Sequence, residues 1–169
     1  VPTIGVAIAI PEPWASELQD YRTSVGDTTA TQIPTHITLV PPTEVPEPDL
    51  QAVRAHLTQA ASAVPRFDIH LRGTGTFRPV SPVVFVTLAE GISGCEVLAG
   101  AVRQGPLEVE LHYPYHPHVT IAHHLDDETL DRAFAELAEF ECRFAADAFS
   151  LYVHDADAGW RATDHFALG

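Results

Sequence analysis

The sequence predicts a bilobal α+β fold built from a duplicated α-β-α-β-β unit, on three observations. Short apolar runs alternate with segments of helical periodicity. The order of these elements recurs once along the chain. A strand bearing the pattern His-x-Thr appears in each half, "HITLV" at 36–40 and "HVTIA" at 118–122, 82 residues apart.

Each element has a local reason. "TIGVAIAI" (3–10) is a short continuous apolar run, which reads as a buried strand. "EPWASELQDYRTSVG" places Trp14, Leu18, Tyr21 and Val25 at helical spacing, with Gly26 as a stop. After the strand at 36–40, "PDLQAVRAHLTQAASAV" (48–64) lines up Leu50, Val53, Leu57, Ala60 and Ala61 on one helical face behind Pro48 and Asp49. "RFDIHLRGTGTF" (66–77) alternates and "VVFVTL" (83–88) is rich in β-formers, so the pair reads as a hairpin; "GTG" at 73–75 reads as a bend within its strand. The order then repeats, with a helix at 95–105, a strand at 118–122, a helix with an acidic first turn at 126–140, and a closing hairpin from 147–155 and 159–169. Phe67 and Phe149 fall at equivalent places under the same offset. One domain, 1–169, is expected, with lobes near 1–88 and 89–169.

Composition narrows the function. Apolar residues make up 46% of 169, enough for a packed core, and no apolar run approaches the ~20 residues that span a bilayer. The N-terminal run lacks a basic leader and reads as a strand. Cys95 and Cys142 read as buried thiols, and the cytoplasm is the expected compartment, with no membrane partner and a monomeric chain. The net charge is −14, and all nine basic residues are arginines. Nucleic-acid affinity rests largely on neutralised phosphates, so no long nucleic acid is expected as partner. A phosphate substrate should be small.

The His-x-Thr pattern is weak by itself. With ten histidines and fifteen threonines it occurs three times: His36/Thr38, His56/Thr58 and His118/Thr120. Geometry separates them. In a strand, residues i and i+2 share a face, so His36 and Thr38 stand together while Ile37 and Leu39 enter the core. His118 and Thr120 do the same opposite Val119 and Ile121. His56 falls in a helix, where i and i+2 lie roughly 200° apart, and reads as a solvated histidine. Two imidazoles meeting across a groove suit general acid–base catalysis, because an unperturbed pKa of about 6.5 lets either hold a proton near neutrality. Neighbouring hydroxyls suit oxyanion contacts.

With their contexts, "PTHITLVPP" and "YHPHVTIAHH" resemble the paired motifs of the 2H phosphoesterase superfamily, which includes 2′-5′ RNA ligase-like proteins and cyclic nucleotide phosphodiesterases. The intervals and the closing "GWRATDHFALG" also fit, and the resemblance covers essentially the whole chain. It implies two antiparallel sheets around a central cleft, and metal-independent chemistry with no cofactor on 2′,3′-cyclic phosphates or related small nucleotide phosphodiesters, free or at an RNA end. It implies His36, Thr38, His118 and Thr120 as the catalytic set, with His118 as base and His36 as acid. The same steps reversed would join RNA ends. The acidic chain departs from what a ligase acting on tRNA should show.

Other residues carry secondary expectations. Arg78 could hold a phosphate with its planar fork, or be a surface arginine. Tyr115 could stack on a base, or pack in the core. Trp160 is expected to pack the second lobe. The run His112, His116, His118, His123 and His124 raises the alternative of a histidine-ligated metal hydrolase, although Pro114 and Pro117 interrupt it. A non-catalytic nucleotide- or RNA-binding module is a further alternative.

Overall fold

Strands of alternating burial and amphipathic helices assemble in the order β1 (Thr3–Ala9), α1 (Trp14–Ser24), β2 (His36–Glu44), α2 (Leu50–Ala63), β3 (Phe67–Thr76), β4 (Val83–Glu90), α3 (Ile92–Val102), β5 (Val119–His123), α4 (Asp127–Glu136), β6 (Glu141–Ala146), β7 (Ala148–Asp155) and β8 (Gly159–Ala167). The structure, a computed structural model, describes every residue except Thr29, Thr31, Gln32 and His112. No described helix is long and apolar enough to cross a membrane.

The strands form two four-stranded antiparallel sheets, ordered β2-β1-β7-β8 and β5-β4-β3-β6. The lobes are therefore not the contiguous halves 1–88 and 89–169. The hairpin β3–β4 leaves the first half to pair with β5 and β6, and the hairpin β7–β8 returns to pair with β1. The helices exchange reciprocally: α1, which joins β1 to β2, packs against β5, and α3, which joins β4 to β5, packs against β2. Tertiary pairing wins over chain order here because each helix must bury its apolar stripe on a sheet, and the neighbouring lobe offers one. Cys95 on α3 and Cys142 on β6 are buried free thiols, as the sequence indicates.

β6 has no counterpart among the expected elements. It follows the α4 segment closely and a single residue, Asp147, separates it from β7 in the other sheet. β2 runs past Val40 through Pro41 and Pro42 to Glu44; it is an edge strand, and the two prolines fall where its register with β1 shifts between Val40 and Thr43. Gly73 sits at φ 76° where the β3–β4 register shifts, so the "GTG" bend is a bulge inside a strand.

Candidate active site at the seam of the two sheets

The edge strands β2 and β5 touch where the sheets meet. On β2, Ile37 and Leu39 are fully buried while His36 and Thr38 are partly buried on the other face; Val119 and Ile121 are fully buried while His118 and Thr120 are partly buried. Each fully buried aliphatic contributes roughly 1.5–3 kcal/mol, so the core face fixes the register and, by period two, the direction of the polar face. His118 lies one residue before β5, immediately after the buried Pro117.

The two histidines are held alike. The Nδ1 of His36 donates to the carbonyl oxygen of Pro34 at 2.7 Å, and the Nδ1 of His118 donates to that of His116 at 2.7 Å. A carbonyl only accepts, so Nδ1 carries the proton of each neutral ring and Nε2 is left with its lone pair. Burial lowers His36 from 6.5 to about 4, and the positive charges of Arg22 and His118 push the same way against the Pro34 carbonyl. Burial also lowers His118, reinforced by His116 and opposed by that residue's carbonyl. Both are neutral in the free protein at neutral pH. Near His36 and His123 lies a buried ion pair, in which Asp27 Oδ2 accepts from Arg22 Nη2 at 2.8 Å and Nε at 3.0 Å.

Tyr115 joins the two motifs. Its hydroxyl donates to the backbone oxygen of Thr38 at 2.7 Å, its ring packs on the core, and the Arg103 guanidinium lies 5.1 Å from the ring centre. Of the two readings of Tyr115, the structure gives the packed one. Arg78 is already engaged: Nη1 meets Asp131 at 2.8 Å and Asp127 at 3.6 Å, and Nε donates to Thr76 Oγ1 at 3.1 Å. Its charge is met on α4, not held open for a phosphate. His56 is not a solvated histidine: Nε2 donates to the carbonyl of Val102 at 2.8 Å, tying α2 to the end of α3.

Trp160 also departs from expectation. It belongs to β8, in the sheet of β1 and β2, and lines a hollow with His36, Thr38, Gly5, Pro42 and Tyr152. One cross-strand row of this sheet reads Thr38, Ala7, Ser150 and His165, with Ser150 Oγ 2.6 Å from His165 Nδ1. Sequence reading missed this floor, although Ser150, Tyr152 and His154 alternate along β7.

As for a metal, no three His, Cys, Asp or Glu side chains converge among the described residues. His116 and His118 have ring centres 6.0 Å apart, while His123 stacks on His124 at 3.7 Å and alternates onto the face of β5 opposite Thr120. His112 lies outside the described residues.

Two antiparallel sheets, each drawn from both halves of the chain, meet at a seam that carries both backbone-anchored histidines, and this arrangement defines a class of α+β protein. The family model of the 2′-5′ RNA ligase superfamily matches residues 10–158, and the chain belongs to that superfamily. A Bacillus cytotoxicus protein assigned by name to the phosphoesterases is 30% identical over 141 residues, covering 81% of this chain and 80% of the relative. A similarly named Staphylococcus haemolyticus protein is 24% identical over 168 residues, 98% of each chain. Among solved structures, E. coli LigT complexed with 3′-AMP superposes with a TM-score of 0.68 at 19% identity, over 99% of both chains. LigT complexed with NADP+ reaches 0.70 at 20% identity, again over 99% of both.

Proposed function

We propose that the protein is a metal-independent phosphodiesterase that opens 2′,3′-cyclic phosphates, or related small nucleotide phosphodiesters, by two-histidine acid–base catalysis. One observation carries the reading. His36 and His118, each fixed through Nδ1 to the carbonyl two residues before it, stand at the contact of edge strands β2 and β5 with Nε2 unclaimed. A free Nε2 lone pair accepts a proton, and its protonated form donates one.

In the forward reaction one imidazole, neutral, takes a proton from water as the water oxygen bonds to phosphorus. The bond from phosphorus to one ribose oxygen breaks, and the second imidazole, protonated, gives that oxygen its proton. The product is a nucleoside 2′- or 3′-monophosphate, and the two histidines end with their protonation states exchanged. Thr38 and Thr120 hold the non-bridging oxygens by hydrogen bonds. Following the family resemblance, His118 is the base and His36 the acid. Substrate anion near His36 favours its charged form and offsets the lowering caused by burial. LigT complexes with 3′-AMP and NADP+ support a small nucleotide as the ligand class, and the −14 charge of the chain opposes a long RNA.

The test is an activity screen of the purified protein in excess chelator against the four 2′,3′-cyclic mononucleotides and a 2′-5′-linked dinucleotide, with product positions assigned by NMR. Turnover of the cyclic substrates in chelator is expected. Turnover that vanishes in chelator and returns with zinc would replace this reading with a metal hydrolase.

A further inference from the structure

The buried ion pair near the first motif takes no part in the acid–base steps above, yet its place in the fold is specific. α1 ends at Ser24, and Gly26, at φ 92°, turns the chain back along the helix it has just left. Three ties join the returning chain to α1. Arg22 donates to Asp27 Oδ2 from Nε at 3.0 Å and from Nη2 at 2.8 Å. Gln19 Nε2 donates to the Ala30 carbonyl at 2.7 Å, and Thr35 Oγ1 donates to the Ala15 carbonyl at 3.0 Å. Residues 15, 19 and 22 have the spacing of one helical face, and their partners 35, 30 and 27 run along it in reverse. The next residue is His36, and Pro34, whose carbonyl holds its Nδ1, lies within the tied stretch. α1 also packs against β5, the strand of the second motif. One helix thus meets one motif strand directly and guides the chain into the other.

Arg22 is 3% exposed and Asp27 4%. Taking an ion pair out of water costs much of what its attraction returns, so two packed apolar side chains would hold this turn as well. They would lack charge. The pair stands among histidines on both motif strands: His36 on β2, on which His118 also bears, and His123 on β5, with His124 stacked on it at 3.7 Å. The guanidinium opposes a proton on His36 and on His123, and the Asp27 carboxylate favours one on His123.

Resting on the two-histidine reading above, we infer that the Arg22–Asp27 pair is a positioning device for His36: its fork pins the chain that delivers this histidine to the seam, and its two opposite charges set the field at the ring. Burial is the larger influence on His36, so the pair trims the proton affinity of the ring and does not rule it. The two charges act with opposite sign. Removing them one at a time should move His36 in opposite directions.

The experiment follows the histidine ring signals of the full chain, free of ligand, by NMR through a pH titration. In Arg22→Met the midpoint of His36 should rise above about 4 and stay below 6.5, because burial persists. In Asp27→Asn, which keeps the shape of the side chain, it should fall below the wild-type value. His123 should follow in both senses. His118, lowered by burial and by His116, should move least. Arg22→Lys keeps the charge and gives up the planar fork, so its His36 midpoint should stay near that of wild type while kcat falls about 3- to 10-fold. Equal movement of His36 and His118 overturns the proposal, as does movement of His36 in the same direction in Arg22→Met and Asp27→Asn. An Arg22→Lys variant that titrates like Arg22→Met overturns it too. Asp27→Asn and Arg22→Lys keep the test decisive where Arg22→Met does not fold. The titration needs no turnover, so opposed shifts in a protein that opens no cyclic phosphate uphold the field at His36 and refute the catalytic reading alone. With turnover, the maximum of kcat/KM lies midway between the two values of the histidine pair. It should move to higher pH in Arg22→Met and to lower pH in Asp27→Asn, and a maximum fixed in both overturns the link to His36.

Discussion

The first and second motif regions share a chemical core and differ in everything around it. At both, a strand alternates two buried aliphatics against a histidine and a threonine, and at both Nδ1 is anchored to the carbonyl two residues back. Beyond that shell, His118 sits among three aromatic rings and His36 beside an open apolar hollow. Two like units thus present paired histidines with like anchoring, which the proposed acid–base chemistry needs. The neighbouring hairpins supply the difference: β3–β4 carries the phenyl rings around His118, and β7–β8 carries Tyr152 and Trp160 beside His36. The strand and helix exchange makes this division natural: Trp160 reaches the first motif only because β7–β8 pairs back onto β1.

The largest effects should come from breaking what the regions share. His36→Ala and His118→Ala should each lower the rate on the order of 10²–10⁴-fold, the worth of a positioned acid or base. The double variant should fall far less than the product, because the two act as a unit. Multiplicative loss in the double variant, measured as kcat/KM, would separate the histidines into independent roles. Thr38→Ala and Thr120→Ala should cost about 10- to 100-fold each, matching the ~1–3 kcal/mol lost when a buried hydrogen bond is removed.

The pH profile sharpens the same comparison. Reaction needs one histidine neutral and the other protonated, and both pKa values are lowered by burial, His36 to about 4. In the free protein the protonated member is lost as pH rises through the higher of the two values. The maximum of kcat/KM should therefore lie on the acid side of 6.5. Its limbs belong to the pair. Bound phosphate raises the histidine it faces, so the maximum of kcat should lie at higher pH. Coincident maxima at or above pH 7 would show that burial does not govern these groups.

Much of this was legible in the sequence because it depends on local rules. Period two alone put His36 with Thr38 and His118 with Thr120 opposite buried aliphatics, and the helical stripe of 48–64 marked α2. What was not legible depends on partners. Nothing local tells the hairpin at 147–169 to join β1, so the lobe boundaries and the place of Trp160 were read wrongly. β6 escaped because its sheet is chosen by β3, far away in sequence, while its own residues follow directly on a helix. Nothing in the local sequence of Arg78 shows that Asp127 and Asp131, on a helix about 50 residues later, meet it.

Tyr115 opens the second region and ties it to the first. Tyr115→Phe removes the bond to the Thr38 carbonyl and keeps the packed ring. A small displacement of one motif against the other should lower kcat by about 3- to 10-fold, since reacting groups tolerate little misplacement. The KM and the affinity for 3′-AMP should change little, because each motif remains intact. A raised KM with unchanged kcat would instead place the tyrosine in substrate binding.

The smallest kinetic effect should come from the third His-x-Thr pattern, and it tests whether the comparison concerns geometry or sequence. His56 and Thr58 carry the same three-residue pattern on α2, where their side chains point apart. Thr58 Oγ1 donates to the Arg54 carbonyl within the helix at 3.0 Å, while His56 Nε2 donates to the Val102 carbonyl at 2.8 Å. His56→Ala therefore removes a tie between α2 and α3 and leaves that carbonyl without this donor. A typical intramolecular hydrogen bond contributes about 0.5–1.5 kcal/mol, so Tm should fall by roughly 1–6 °C for a chain of this size. The kinetic constants, measured well below that Tm, should stay within about twofold of wild type, because nothing in the β2–β5 seam rests on His56. A lowered Tm with unaltered kinetics separates a packing histidine from a chemical one in the same experiment. A rate loss comparable to that of His36→Ala in a folded His56 variant would mean that the strand-borne pairs owe nothing to the face they share.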